Sequence, residues 1–308
     1  MSLDGKPTAA SSSPDSRLAA ILVGCGLALS VLIALGQPHG FLQADDVTHF
    51  LYAKWAWTWP SYLLDDWGRP GFTALYFLPA KLGLTACRIM SAALMAVAVW
   101  AAYRIAVLMG FRYAWAVVPV AYAQPMLFKL SQTTLTETPA AFYLTWAVYL
   151  AMQNRWALSC MVLSPMFITR HEAVIFIPIW IIAAWHSRNG KRFLPLLFWA
   201  PIAINVGAFF ADMPMPIARL LAPTSTSEYG RGGWLTFFCR SMEAYGPAIS
   251  ALAMTGVVHL VRSLRGGLPI VCVIVYFSPQ TILRALGLYA PGGYARFLVP
   301  IGPKVAIC

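Results

Sequence analysis

Apolar runs close to the length of a membrane span recur along the whole chain, separated by single charges and by Pro or Gly. They lie at 18–36, 84–109, 113–130, 135–152, 156–169, 171–186, 193–210, 247–261 and 268–283, with a last one from 297. Crossing the hydrocarbon core takes roughly 20 apolar residues in helical form, and the backbone groups inside it must pair within their own segment. The pattern predicts an all-α polytopic membrane protein with nine or ten transmembrane helices. The pair 156–169 and 171–186 is short for two full passes, so tilted, broken or partly re-entrant helices are expected there. Neither a repeat of 20 to 50 residues nor two halves of inverted hydropathy stand out, which disfavours the common transporter architectures.

The polar remainder orders these runs. Residues 1–16, MSLDGKPTAASSSPDS, read as a disordered tail, and residues 17–308 as one transmembrane domain. No small-x-small cleavage site follows the first run, which is therefore an uncleaved helix rather than a signal peptide. Lys6 and Arg17 precede it, and Arg112, Arg155, the run Arg188/Lys191/Arg192 and the pair Arg262/Arg265 fall in short turns on the same side. The positive-inside tendency places that side, with the N-terminus, in the cytoplasm. The opposite face receives the longer connections and nine of the eleven acids, all but Asp4 and Asp15. Its first connection, 37–83, is long enough to contain interfacial helices. The last run stops at Cys308 in mid-segment, so a C-terminally incomplete chain is expected.

Composition agrees with a protein of the plasma membrane, inner membrane or an equivalent bilayer. Of 308 residues 59% are hydrophobic and 11% charged, against the roughly 45–50% apolar content of soluble domains. The net charge of +11 raises the question of nucleic acid, but the basic residues stand singly between apolar runs and form no stripe, so no nucleic-acid partner is expected. The six cysteines are widely spaced, mostly within apolar runs, and suggest neither a disulfide framework nor a CxxC metal site.

In so apolar a chain each charge outside the cytoplasmic turns is costly unless water, a partner or a substrate meets it. The stretch 37–79 holds four of the eleven acids, as Asp45-Asp46 and Asp65-Asp66. In a helix, Asp45 and Asp46 stand four and three residues before His49, so either shares a face with the imidazole. Such a set suits proton abstraction from a hydroxyl, or with Glu137 a divalent metal, and equally a solvated helix start. The alternating Trp55, Trp57 and Trp59 read as a segment lying along the headgroup level. Asp65-Asp66, before the turn-forming Trp67-Gly68-Arg69-Pro70-Gly71, reads as a cap or turn. Thr136 and Glu137 suit the capping of an apolar helix. Arg170-His171-Glu172 interrupts about thirty apolar residues, which marks a mutual pair or a function, and Arg296 opens the last run where a guanidinium suits a lipid phosphate.

In their order these features resemble the GT-C superfamily of membrane glycosyltransferases, which includes protein O-mannosyltransferases, aminoarabinose transferases and lipid-linked mannosyltransferases. The resemblance runs through Asp45-Asp46 in the first long connection, Gly68-Arg69-Pro70, Arg88, Thr136-Glu137, Arg170-x-Glu172 and Arg296-Phe297-Leu298-Val299-Pro300. It implies transfer of a mannose-like sugar from a polyprenyl-phosphate donor to an acceptor hydroxyl on the extracytoplasmic face, with inversion. Asp45 or Asp46 is then the general base, and Arg170 or Arg296 balances the leaving phosphate. His49, Arg69, Glu137 and Glu172 complete the substrate site; no cofactor is required and a divalent metal is optional. Two other classes fit the same residues: a transporter or flippase of lipid-linked intermediates, with Glu137, Arg170 and Glu172 as coupling residues, and a non-catalytic scaffold.

Overall fold

The computed structural model describes residues 14–37, 43–221, 230–262, 267–288 and 292–308. Among these residues the chain is helical throughout and contains no strand. The α-helices run in order α1 (Pro14–Gly36), α2 (Ala44–Trp55), α3 (Pro70–Leu82), α4 (Leu84–Leu108), α5 (Val117–Tyr122), α6 (Pro125–Leu130), α7 (Glu137–Met152), α8 (Trp156–Phe167) and α9 (Phe176–Trp185). They continue with α10 (Trp199–Phe210), α11 (Pro216–Leu221), α12 (Thr236–Tyr245), α13 (Pro247–Arg262), α14 (Gly267–Leu286) and α15 (Gly302–Val305). Short 3₁₀ segments at Pro60–Leu63, Ala114–Ala116, His171–Ile175, Gly190–Phe198 and Ala295–Ile301 join them.

Four of these stretches are long and apolar enough to cross a membrane: Asp15–Gly36, Leu84–Leu108, Gly190–Phe210 and Gly267–Leu286. The pair α12 and α13, bent by 116° at Gly246, passes the same test as one broken unit. Of the other predicted runs, 135–152 and 156–169 form the unbroken but shorter helices α7 and α8, while three more are interrupted, and the interruptions have local causes. Run 113–130 is split where Gln124, held extended before Pro125, cannot continue α5. Run 171–186 opens with five 3₁₀ residues before α9 begins. The run from 297 is not one long helix, because Pro300 and Pro303 punctuate it into the 3₁₀ segment Ala295–Ile301 and the four-residue α15. The predicted disordered tail lies mostly in residues 1–13, outside the described residues, and α1 already begins at Pro14.

Two helices show how burial divides the bundle. In α7 nearly every side chain is buried, polar Glu137, Thr138 and Thr145 included, and it packs between α4 and α8 at the centre of the core. Helix α1 is as apolar but leaves Ile21, Leu29, Leu32 and Leu35 more than half exposed. A helix apolar all round with bare leucines is at rest in hydrocarbon and not in water. The described part of the stretch 37–83, from residue 43, folds as α2, the Pro60–Leu63 turn and α3, whose Phe50, Ala53, Phe72, Tyr76 and Ala80 form a smaller core with Cys87 and Leu94 of α4.

Helix α3 is drawn against α8 by its second residue. The Gly71 amide donates to Ile168 O (3.2 Å), and the Tyr143 hydroxyl donates to Gly71 O (3.1 Å). A Cβ at Gly71 would overlap Thr169 Oγ1 and the Pro165 carbonyl oxygen, and the carbonyl cannot swing aside as a side chain can. Gly71→Ala is therefore expected to destabilise the protein by about 1–3 kcal/mol, the usual cost of overpacking. A thermal-unfolding series in detergent reads this directly, with the harmless expectation for Gly24→Ala, where nothing lies within 4 Å, as the control.

Candidate functional site

The charges singled out in the sequence sit at the beginnings of helical elements. Asp45 and Asp46 lie in the first turn of α2, Arg69 is the N-cap of α3, Glu137 opens α7, Arg170 precedes the His171–Ile175 segment and Arg296 is second in Ala295–Ile301. Unpaired N–H groups give a helix start a partial positive charge, which favours the carboxylates there. The guanidiniums then reach the same place as counter-ions.

At the centre is Arg170, 7% exposed, between two carboxylates. Its Nη1 lies 2.8 Å from Glu137 Oε1 and its Nη2 2.5 Å from Glu172 Oε1. Nε also donates to Glu172 Oε1 (2.6 Å), and Nη1 to Thr136 Oγ1 (3.3 Å). Thr136 thus precedes α7 without capping it by its side chain, and serves the arginine instead. The Tyr276 hydroxyl of α14 donates to Glu172 Oε1 (3.3 Å), which carries the network into one of the spanning helices.

Arg296 continues the network outward. Its Nη2 donates to Asp45 Oδ2 (2.6 Å), while its Nε stands 3.6 Å from Glu137 Oε1. Phe297 lies beside both guanidiniums, 5.0 Å from Arg170 and 5.3 Å from Arg296, within cation–π range. The sequence Asp45, Arg296, Glu137, Arg170, Glu172 is therefore one alternating chain of charge. Only its first member is substantially exposed, with 45% of the Asp45 side chain accessible.

The two aspartates of α2 have different surroundings. Asp46 is fully buried and bound to Thr134: its Oδ1 accepts from the Thr134 amide (2.6 Å) and hydroxyl, and its carbonyl accepts from that hydroxyl (2.7 Å). Asp46, which shares a helix face with His49, turns its Oδ1 to Thr134. Burial by itself would raise the Asp45 pKa; the hydrogen bond and charge of Arg296, helped by His49 and Arg69, bring it below the ordinary carboxylate value. His49 faces Phe72 at 5.2 Å, and its Nδ1 is buried without a hydrogen-bond partner. Burial and then the Arg69 charge push its pKa down to about 3, against a weaker opposing effect of Asp45.

Next to this chain lies a second group that the sequence did not reveal. Asp66 had read as a structural acid, yet its Oδ1 lies 2.8 Å from His171 Nε2, and Arg69 Nη1 is 2.8 Å from His171 Nδ1. The same Arg69 nitrogen also lies 3.0 Å from His171 Nε2, so the guanidinium sits against both ring nitrogens. Asp65 is the turn residue, its Oδ1 accepting from the amides of Trp67 and Gly68. Arg69 itself adopts φ 59°, a left-handed conformation uncommon outside glycine. The interruption Arg170-His171-Glu172 was the available signal for His171; its partner Asp66, 105 residues earlier, had none.

Neither the Asp45-Asp46-His49 set nor any other group of three His, Cys, Asp or Glu among the described residues is arranged to hold a metal ion. These acids face Arg170, Arg296, His171 or Thr134 instead. Trp55, Trp57 and Trp59 are exposed, Trp57 stacking on Phe77 at 4.0 Å with Lys81 above it.

Two predictions follow the burial of these charges. Arg170→Ala leaves Glu137 and Glu172 without their shared cation and should cost about 3–5 kcal/mol, visible as loss of folded protein; Asp45→Asn, at the half-exposed end, should leave melting temperature nearly unchanged. His49 has a folded pKa below its unfolded value, so the unfolded chain binds the extra proton and stability falls as pH drops from about 6.5 towards 3. Between pH 7 and pH 5 its share is about 2 kcal/mol. Comparing wild type with His49→Phe across that range should show a flatter profile in the variant, since the Asp45 contribution is lost only at lower pH.

A scan against models of protein families, a search of curated proteins and a search of solved structures each returned no match.

Proposed function

We propose that the protein is a membrane glycosyltransferase of GT-C type, transferring a sugar from a polyprenyl-phosphate donor to an acceptor hydroxyl at the extracytoplasmic face. In this reading nine or ten passes include the short apolar helices α7, α8 and α9 as tilted or broken ones. The stretch 37–83 is the first extracytoplasmic connection, with its exposed tryptophans at the headgroup level. One observation carries the proposal. Acids and arginines from four separate segments, spread from Asp45 to Arg296, form a single ion-pair chain whose exposed end is a carboxylate bonded to an arginine.

The roles divide by environment. Asp45 is ionised and accessible, so it is the base that takes the acceptor proton as the hydroxyl oxygen attacks the anomeric carbon. The bond from that carbon to the phosphate oxygen breaks on the opposite side, which inverts the centre, and the electron pair leaves with the phosphate. Arg296 receives that charge; Arg170 is committed to two buried carboxylates and holds Arg296 in place through Glu137. Since Arg296 also holds Asp45 by hydrogen bond, a phosphate that draws the guanidinium away makes Asp45 a stronger base as the donor arrives. Asp46 fixes the start of α2 through Thr134. His49, kept neutral by burial and the surrounding arginines, presents its free Nδ1 to a sugar hydroxyl, and Arg69 holds its side of the site with His171.

The test is transfer of label from a radiolabelled polyprenyl-phosphate sugar by protein in membranes. Asp45→Asn at near-normal melting temperature, and Arg296→Ala when rates are compared per folded protein, should each lower the rate by about 10²–10⁴-fold, whereas Asp46→Asn should act mainly through stability. Wild-type rates in both Asp45→Asn and Arg296→Ala would remove the assignment.

A further inference from the structure

The segment Ala295–Ile301 delivers Arg296, but as a 3₁₀ stretch containing Pro300 it leaves much of its own hydrogen bonding to others. Three alternate carbonyls, two along it and that of Gly302 just after it, are each met by a buried side chain, two from other helices and one, Lys304, from the turn that follows. The Tyr245 hydroxyl of α12 donates to Leu298 O (2.8 Å), Lys304 Nζ to Pro300 O (3.0 Å), and Gln124 Nε2, at the start of α6, to Gly302 O (2.9 Å). Tyr245 is 4% exposed, and Lys304 and Gln124 are fully buried. Lys304 also donates to Thr145 Oγ1 of α7 (2.9 Å), while no carboxylate among the described residues lies within ion-pair distance of it.

Stability alone is a poor reason for this arrangement. A fully buried lysine without a counter-ion is among the costlier side chains to fold, and the Gln124 amide oxygen has no hydrogen-bond partner among the described residues. Packing does not hold the segment on every side either. Ile301 and Val305 border an apolar cavity of about 300 Å³ between α12, α13 and α14, also lined by Tyr245, Val257 and Phe277. With room there, the segment can shift unless its carbonyls are held.

We propose that Tyr245, Lys304 and Gln124 are positioning residues that set the place of Arg296 by gripping the carbonyls of Leu298, Pro300 and Gly302. The inference rests on the reading of Arg296 as the phosphate-binding residue. It predicts that the three hydroxyl, ammonium and amide donors matter to anion binding although none of them touches the anion.

The experiment is a double-mutant cycle on purified full-length protein, with farnesyl phosphate as the probe and both its affinity and the melting temperature measured. Tyr245→Phe, which keeps the ring and removes only the donor, should weaken farnesyl phosphate binding about 3- to 10-fold, the range of one neutral hydrogen bond. In an Arg296→Ala background the same change should have no further effect on affinity, while its effect on melting temperature should persist. A merely structural Tyr245 would lower affinity by the same factor in both backgrounds, or in neither, and would overturn the inference. Arg296→Ala binding like wild type would instead overturn the reading of Arg296, and the positioning role with it. Should Tyr245→Phe not fold, Gln124→Leu enters the same cycle with the same two outcomes.

Discussion

The charge network that joins the ends of this chain depends on the pairing of one buried arginine with two buried glutamates. An isolated guanidinium or carboxylate withdrawn from water costs several kcal/mol, and even a good pair roughly breaks even with an apolar substitute. Arg170, Glu137 and Glu172 are therefore tolerable only together. The requirement is geometric: α7 must start where the His171–Ile175 segment starts, and Tyr276 must bring α14 to the same point. A bundle of nearly featureless apolar helices has many ways to slide, and this triad removes most of them. Arg296 extends the constraint to the far end of the chain, 251 residues from its partner Asp45.

The same physics decides how much of the site can be read from sequence. Charges in a chain this apolar stand out because the alternative to a function or a pairing is expensive, so Asp45, Glu137, Arg170, Glu172 and Arg296 were conspicuous one by one. Their convergence was suggested only by their recurrence at the starts of apolar runs. Pairings were not legible. Nothing local tells Asp46 that Thr134 will satisfy it, or Asp66 that His171 will, because both contacts close over long loops and are selected by packing. Helix breaks were half legible. Pro125, Pro300 and Pro303 are visible as punctuation, but a run such as 113–130 has membrane-span hydropathy whether or not its middle holds together.

The distribution of satisfied and unsatisfied groups separates the structural part of the network from the part suited to chemistry. Around Arg170 the guanidinium is occupied on three nitrogens, and Glu172 accepts from both an arginine and a tyrosine. Towards Asp45 the bonding thins: Glu137 Oε2, Arg296 Nε and His49 Nδ1 are all buried without hydrogen-bond partners among the described residues. Native structures keep few such atoms, since each forfeits about 1–3 kcal/mol. Three of them in and around one charge network, whose exposed end is Asp45, are hard to explain as stabilisation. A network selected for rigidity would close its bonds at both ends. This one closes them at Glu172 and leaves three atoms open towards Asp45; under the proposed function, an incoming phosphate and hydroxyl would find there a cation that can change partners and a carboxylate that gains basicity when it does.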